Sequence, residues 1–250
     1  MNNFLLMIQL FTKFPIRKEI DFHQETFSKG VVYFPFIGLL IGGVAAAAAY
    51  LLNTTFNMET AALGMMFTVM ALTGALHLDG LADTMDGILS ARKREQMLVI
   101  MKDSRIGTHG VLALVMTLAL KYVFLLQVDP QVFLFMVLAL PIVGRSAMGI
   151  LLFGTRYARE EGLGNLFIGK TRPVDSLITG SLGLLMIFTV LGLKGILAFL
   201  LVIASMRLFR FHVERLLGGI TGDVLGAVNE LSELLFIPMY LLIEKGGSLL

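Results

Sequence analysis

Long apolar segments are the feature that most constrains how this chain can fold. A helix needs roughly 20 mainly apolar residues to cross a membrane. Seven segments approach or reach this length: 31–52, 60–78, 107–126, 132–153, 177–193, 195–208 and 224–243. The sixth is short, and either continues through Phe211 or forms a hairpin with the fifth at 192–195. We therefore predict an all-α polytopic membrane protein with six or seven transmembrane helices.

The composition agrees with this fold class. Charged residues make up only 15% of the 250 residues, against about 25% in soluble domains. No polar linker divides the chain, which predicts one integral membrane domain over 1–250. Within it, residues 1–30 form a cytoplasmic or interfacial segment and residues 31–243 form the helical bundle. The net charge of +2 gives no indication of a nucleic-acid partner, and the lack of cysteine excludes disulfides and thiolate metal sites.

Positive residues predict the orientation of the bundle. Lys and Arg are concentrated in 91–105, 154–175 and 207–215, whereas 53–59 and 127–131 contain neither. Lys13, Arg17 and Lys18 follow the apolar N-terminal residues, an order that argues against a cleaved signal peptide. Because loops rich in Lys and Arg are retained in the cytoplasm, these three segments and the N-terminus are expected to face it.

Three aspartates follow the second apolar segment. Asp79, Asp83 and Asp86 are spaced i, i+4, i+7, which places them within an arc of about 60° on one helix face. Carboxylates stacked near a membrane either take up protons or need a compensating cation. An oxygen-only ligand set favours Mg²⁺ or Mn²⁺ over zinc. The alternative is that these acids only cap their own helix or pair with the basic residues of 91–105.

A second polar cluster covers 102–110. Asp103 either completes the cation site or acts as the N-cap of the third span. Lys102 and Arg105 can bind phosphate, or can serve only as positive anchors at the membrane surface. His109 is a candidate for proton transfer, although the sequence shows no partner for it.

Two further polar clusters occur later in the chain. Arg156 and Arg159 lie in a glycine-containing loop that either folds over a substrate or is a solvated surface loop. Acidic and amide residues open the last span, where they form another ligand surface or interact with the helix dipole: Asp223, Asn229, Glu230 and Glu233. An ion transporter would place its acids near mid-membrane within two related halves. The acids here cluster at one edge, which favours an enzyme that transfers phosphoryl groups.

These clusters resemble the membrane-bound cobalamin synthase family, adenosylcobinamide-GDP ribazoletransferase. The resemblance rests on His77-Leu-Asp-Gly-Leu-Ala-Asp-Thr-Met-Asp-Gly87, on 101–110, 156–164 and 219–233, and on Phe-Pro-Phe-Ile-Gly at 34–38. It implies Mg²⁺-dependent transfer of cobinamide-phosphate from adenosylcobinamide-GDP to α-ribazole or its 5′-phosphate. The products would be adenosylcobalamin, or its 5′-phosphate, and GMP.

The resemblance also implies a location and partners. It places the chain in the bacterial cytoplasmic (inner) membrane, with the active site facing the cytosol. A homo-oligomer and a complex with other enzymes of nucleotide-loop assembly both stay open. A CDP-alcohol phosphotransferase is the nearest alternative enzyme, but that family needs Ala-Arg soon after its first Asp-Gly. Here Asp79-Gly80 is followed by Ala82-Asp83.

Roles follow from the motifs together with the resemblance. The predicted metal ligands are Asp79, Asp83, Asp86 and Asp103. The predicted catalytic residues are Asp83, Asp86 and His109. The predicted substrate-binding residues are His77, Lys102, Arg105, Arg156, Arg159, Asp223, Asn229 and Glu230.

Overall fold

A computed structural model describes residues 2–16 and 24–247, and its regular structure is helical. The helices are α1 (Asn2–Phe11), α2 (Gln24–Gly30), α3 (Phe34–Thr55), α4 (Met58–Thr73), α5 (Leu76–Ile88), α6 (Arg94–Ile100), α7 (Thr108–Leu125), α8 (Pro130–Leu151), α9 (Pro173–Leu217) and α10 (Gly222–Gly247). Short 3-10 turns cover Val31–Tyr33 and Leu163–Leu166. Arg17 and Lys18 lie outside the described residues. The predicted all-α class is confirmed.

Among the described residues, five helical segments are long and apolar enough to cross a membrane. They are Phe27–Thr55, Thr108–Leu125, Pro130–Leu151, Pro173–Leu217 and Gly222–Gly246. A sixth span results if α4 and α5 together count as one broken crossing. Helices satisfy their backbone hydrogen bonds internally, which hydrocarbon surroundings require. The chain is therefore a multi-pass membrane protein.

The second apolar segment, 60–78, is not the continuous helix that its composition predicts. Helix α4 ends at Thr73, and α5 leaves it at an angle of 90°. Gly74 and Ala75 both adopt left-handed backbone angles, with φ of 63° and 57°. Left-handed residues end a helix because they turn the chain out of its axis. The three aspartates therefore lie on a separate short helix, α5, rather than at the end of a straight span.

Helix α9 contains a reversal at Gly192. This residue has φ of 63° and ψ of −154°, a combination that glycine tolerates. A Cβ atom built on Gly183 would lie 3.9 Å from the Phe199 ring. Sixteen residues of straight helix would separate these positions by about 24 Å. The two halves of α9 therefore fold back on each other, as the hairpin alternative at 192–195 predicts.

Close helix contacts bring α5 against α10. A Cβ on Gly80 would lie 2.8 Å from the Asp223 carbonyl oxygen, and one on Gly226 would lie 3.1 Å from the His77 carbonyl oxygen. Small residues permit such approach between helices in a membrane. This contact brings the acidic residues of α5 beside those at the start of α10.

The basic segments lie close to one another at one end of the bundle. Arg94 donates hydrogen bonds to the carbonyl oxygens of Leu217 and Ala158. Arg159 donates a hydrogen bond to the carbonyl oxygen of Met101. Segments 91–105 and 154–175 therefore meet in space, beside the end of α9 at Leu217 that follows 207–215, although long apolar helices separate them in the sequence.

Candidate functional site

The centre of the candidate site is the outer face of α5. Asp79 is exposed and Asp83 is half-buried. Neither carboxylate has a hydrogen bond or ion pair with any described residue. Asp83 interacts electrostatically with Asp223, Asp79 and Asp86, and also with Arg159. The structure therefore brings two carboxylates of α5, neither of which has a partner among the described residues, close to the Asp223 carboxylate of α10.

Asp86, the third aspartate of the motif, has a different environment. Its two oxygens accept hydrogen bonds from the backbone N–H groups of Gly107 and Gly110, at 2.7 and 2.8 Å. These groups belong to the first turn of α7, whose own N-cap, Gly107, offers no side chain. Asp86 therefore caps α7 from a neighbouring helix, a role that the sequence analysis did not foresee. Its metal and catalytic roles stay predictions.

The start of α10 is joined to the loop before α9 by an ion pair. The Arg159 Nη2 atom lies 2.7 Å from the Asp223 Oδ2 atom. Both side chains are largely buried, while the Arg159 Nε atom has no hydrogen-bond partner among the described residues. Arg159 and Asp223, both predicted to bind substrate, are thus brought together. The Arg159 Nε–H group stays available to donate a hydrogen bond to a phosphate oxygen.

The 102–110 cluster is more exposed. Asp103 accepts hydrogen bonds from the side chain and backbone N–H of Arg105, which hold the pKa of Asp103 at about 2. Asp103 does not act as the N-cap of α7, because Gly107 occupies that position. Lys102 and His109 are exposed, and His109 lies in the first turn of α7. Arg156, in the next polar loop, is also exposed.

The carboxylates near α5 form an incomplete ligand set for a cation. Within 2–16 and 24–247, no three His, Asp or Glu side chains form a group that could hold a metal ion. Mg²⁺ in phosphoryl-transfer sites usually takes one or two carboxylates and completes its coordination with water and substrate phosphates. Asp79 and Asp83 supply such hard oxygen ligands without competing partners, so these residues fit Mg²⁺ bound together with a phosphate substrate.

A buried charge network lies behind α5, inside the bundle. Lys121 of α7 lies 3.0 Å from both Glu230 and Glu233 of α10, and Arg145 of α8 lies 2.6 Å from Glu233. The Nδ1 atom of His77 lies 3.3 Å from Arg145 Nη2. The network therefore links the helix that bears the aspartates to three membrane helices.

This network includes two residues of α10 whose substrate-binding role stays a prediction. Asn229 and Glu230, predicted to bind substrate, are buried, and the Asn229 amide donates hydrogen bonds to Glu230 and Glu233. They face the interior because α10 packs against α7 and α8. The sequence analysis missed Lys121 and Arg145, although a signal was present: each is a lone charge within an apolar span, and such charges are rare and usually functional.

A cleft adjoins Asp79 and Asp223. Its open volume is about 670 Å³, and its wall includes residues of α1, α3, α5, α8, α10 and the Leu163–Leu166 turn. His77 and Gly80 form part of the same wall. Asp79, Asp223 and His77 are thus brought to one concave surface, and small-molecule sites commonly have this form.

Comparison with known proteins identifies the family. The family model for cobalamin-5-phosphate synthase matches residues 3–241, nearly the whole chain. The chain belongs to this family. Adenosylcobinamide-GDP ribazoletransferase of Clostridium novyi is 38% identical over 254 residues, and the match covers 100% of both chains. The protein of the same name from Klebsiella pneumoniae strain 342 is 44% identical over 226 residues, covering 89% of this chain and 92% of that relative.

Membership in the cobalamin-5-phosphate synthase family settles the class of activity. The chain is an enzyme, a transferase of cobalamin biosynthesis. This finding decides against the transporter and CDP-alcohol phosphotransferase interpretations. No solved structure is significantly similar to the chain.

Proposed function

We propose that this enzyme transfers cobinamide-phosphate from adenosylcobinamide-GDP to α-ribazole or its 5′-phosphate, with Mg²⁺, and releases GMP. The family match over residues 3–241 is the observation that carries the proposal. The relatives' names supply the donor and the ribazole acceptor. The uncommitted carboxylates of Asp79 and Asp83 support a divalent cation.

The reaction is a displacement at phosphorus. A hydroxyl oxygen of the acceptor forms a bond to the phosphorus atom that carries the cobinamide group. The bond between that phosphorus and the bridging oxygen breaks, and GMP leaves with the electron pair. A proton leaves the attacking hydroxyl, and a carboxylate of α5 or His109 accepts it. Since the reacting groups are anionic, positioning and charge neutralisation provide most of the catalysis.

The residues on the face of α5 and the start of α10 have distinct roles in this proposal. Asp79 and Asp83 would hold the cation, and a divalent ion held there would supply positive charge to neutralise a phosphate substrate. Arg159 binds a phosphate oxygen and is oriented by Asp223 and the Met101 carbonyl. Asp86 holds the first turn of α7 next to the site through its two hydrogen bonds. Lys102, Arg105 and Arg156 add positive charge at the surface.

In the proposed orientation, the protein lies in the bacterial inner membrane and its site faces the cytosol. The basic segments 91–105 and 154–175 meet at the end of the bundle that also carries Asp223 and the end of α9 after 207–215. Positive residues are retained on the cytoplasmic side, and this shared location supports a cytosolic site.

The test is GMP release by the protein purified in detergent. With adenosylcobinamide-GDP, α-ribazole and Mg²⁺, the enzyme should release GMP, and EDTA should abolish release until excess Mg²⁺ is added. Asp83→Asn should abolish turnover without lowering the thermal unfolding temperature. His109→Ala separates the candidate proton acceptors, since it lowers kcat only if His109 accepts the proton. GMP release that persists in EDTA would refute the metal requirement, and full activity of Asp83→Asn would remove that residue from the chemistry.

A further inference from the structure

The cleft beside Asp79 and Asp223 is open on one side and is lined by residues of several helices. The donor in the proposed function carries a corrin macrocycle together with a nucleotide and is much the larger of the two substrates. The acceptor is a nucleoside with a flat fused-ring base, and it is the smaller and flatter of the two.

Aromatic side chains form one side of the cleft. The Phe11 and Phe34 rings contact edge-to-face with centroids 5.0 Å apart, and the Phe34 and Phe167 rings do so at 5.7 Å. All three residues line the cleft. Aromatic rings pack favourably in offset or edge-to-face arrangements. This wall therefore suits a flat aromatic group, while the carboxylates of Asp79 and Asp223 provide a polar region nearby.

His77 contributes a hydrogen-bond donor whose identity follows from its neighbour. Arg145 has only donors, so its contact with the His77 Nδ1 atom requires that nitrogen to accept. The neutral imidazole then carries its proton on Nε2. Arg145 is fully buried and bound to Glu233 at 2.6 Å, which maintains this arrangement. His77 thus presents an N–H group and not a base at Nε2.

The Nε2 donor has no acceptor in the part of the chain that the structure describes. His77 is only 3% exposed, and its Nε2 atom makes no hydrogen bond with any described residue. The His77 ring forms part of the wall of the cleft and lies 5.7 Å from the Phe11 ring. A buried donor without an acceptor is unfavourable and calls for an explanation. An acceptor atom supplied by a ligand in the cleft provides one.

Building on the proposed function, we propose that this cleft binds the aromatic nucleoside acceptor. The fused ring of the base packs among Phe11, Phe34 and Phe167, and the ribose lies toward Asp79 and Asp223. The His77 Nε2–H group donates a hydrogen bond to a ribose oxygen and so orients the acceptor. The corrinoid donor stays outside the cleft and presents its diphosphate to the α5 carboxylates.

Steady-state kinetics with each substrate varied separately tests the His77 donor. His77→Asn keeps an acceptor for Arg145 but is too short to place a donor at the Nε2 position. It should raise KM for α-ribazole about tenfold, as expected for one lost hydrogen bond, and leave KM for adenosylcobinamide-GDP unchanged. His77→Gln can both accept from Arg145 and donate, and should recover most of the affinity. If His77 had only a structural role, His77→Asn and His77→Gln would not differ in KM for α-ribazole alone.

A second variant tests the cleft without disturbing the core. Leu163 lines the cleft but is 65% exposed, so Leu163→Trp adds bulk at the opening and leaves the interior intact. Calorimetric titration of the purified protein with α-ribazole should show binding in the wild type and strongly weakened binding in Leu163→Trp. Phe188→Ala is the matched control, because Phe188 is an exposed residue of α9 outside the cleft. Its binding of α-ribazole should equal that of the wild type.

The outcomes separate this inference from the proposed function. If the wild type releases no GMP from adenosylcobinamide-GDP and α-ribazole, the proposed function fails. If the wild type is active but both variants leave α-ribazole binding and KM unchanged, the acceptor site is refuted and the function stands. A rise in KM for the donor instead of the acceptor would also refute it, and would assign the cleft to the donor.

Discussion

The buried charge network provides the sharpest test of the structure. It contains two cations and two anions: Lys121 and Arg145, with Glu230 and Glu233. The side chains of Lys121, Glu230 and Glu233 are at most 7% exposed. Lys121→Met removes one cation at nearly constant volume. It leaves Glu230 without its cation, while Glu233 keeps Arg145.

The expected cost follows from leaving a buried charge uncompensated. Removing one partner of a buried ion pair costs about 3–5 kcal/mol. For a chain of this size, that corresponds to a decrease in Tm of roughly 6–20 °C. Lys121→Met combined with Glu230→Gln removes one charge of each sign and leaves Arg145 paired with Glu233. Replacement of both partners of a buried pair is often nearly neutral, so the double variant should recover most of the lost Tm.

Thermal unfolding of the detergent-purified variants measures both effects. The matched control is Lys194→Met, which removes the more exposed Lys194–Glu244 ion pair at 3.3 Å. Exposed pairs contribute about 0–1 kcal/mol, so this control should change Tm by only a few degrees. If the double variant lost as much as the sum of the two single variants, Lys121 and Glu230 would not be coupled and the network would be refuted.

Three further variants test the contacts that position α5 and the α9 hairpin. Asp86→Ala removes the acceptor for two N–H groups of α7 and should cost about 0.5–2 kcal/mol of unfolding free energy; an unchanged Tm would contradict its capping role. Gly80→Ala places a Cβ 2.8 Å from the Asp223 carbonyl oxygen and should cost about 1–3 kcal/mol. Its control, Gly43→Ala, meets nothing within 4 Å and should not lower Tm; equal losses would argue against the close α5–α10 contact. Gly192→Ala forces a side chain into a backbone conformation that costs about 1–3 kcal/mol, and a wild-type Tm would refute the reversal.

The helices were largely predictable from the sequence because each depends on local properties. An apolar run of sufficient length forms a helix in a membrane, since hydrocarbon offers no other partner for the backbone. This reasoning found α3, α7, α8 and α10 within a few residues of their ends. It failed at 60–78 because the break depends on the backbone angles of Gly74 and Ala75, and the apolar composition of the segment carries no signal for Ala75.

The residues that form the candidate site were less predictable from the sequence. The spacing of Asp79, Asp83 and Asp86 places them on one helix, and the resemblance links them to Asp223 and Arg159. The spacing does not reveal that Asp86 turns toward the N–H groups of Gly107 and Gly110, while Asp79 and Asp83 stay uncommitted. Neighbours on one helix face can thus have different roles, because each role depends on which other helix lies beside that turn.

The sequence by itself determined the class of protein, the polar clusters and the family resemblance, since apolar runs and ordered motifs are properties of contiguous residues. Only the tertiary structure decided which charges compensate one another. Lys121, Arg145 and Glu233 lie on three helices, and their pairing depends on how those helices rotate and pack. The same packing places the His77 Nε2 atom, which has no hydrogen-bond partner among the described residues, beside the aromatic cleft. Burial makes such pairing obligatory, because a lone charge inside the bundle is far too costly to leave without a partner.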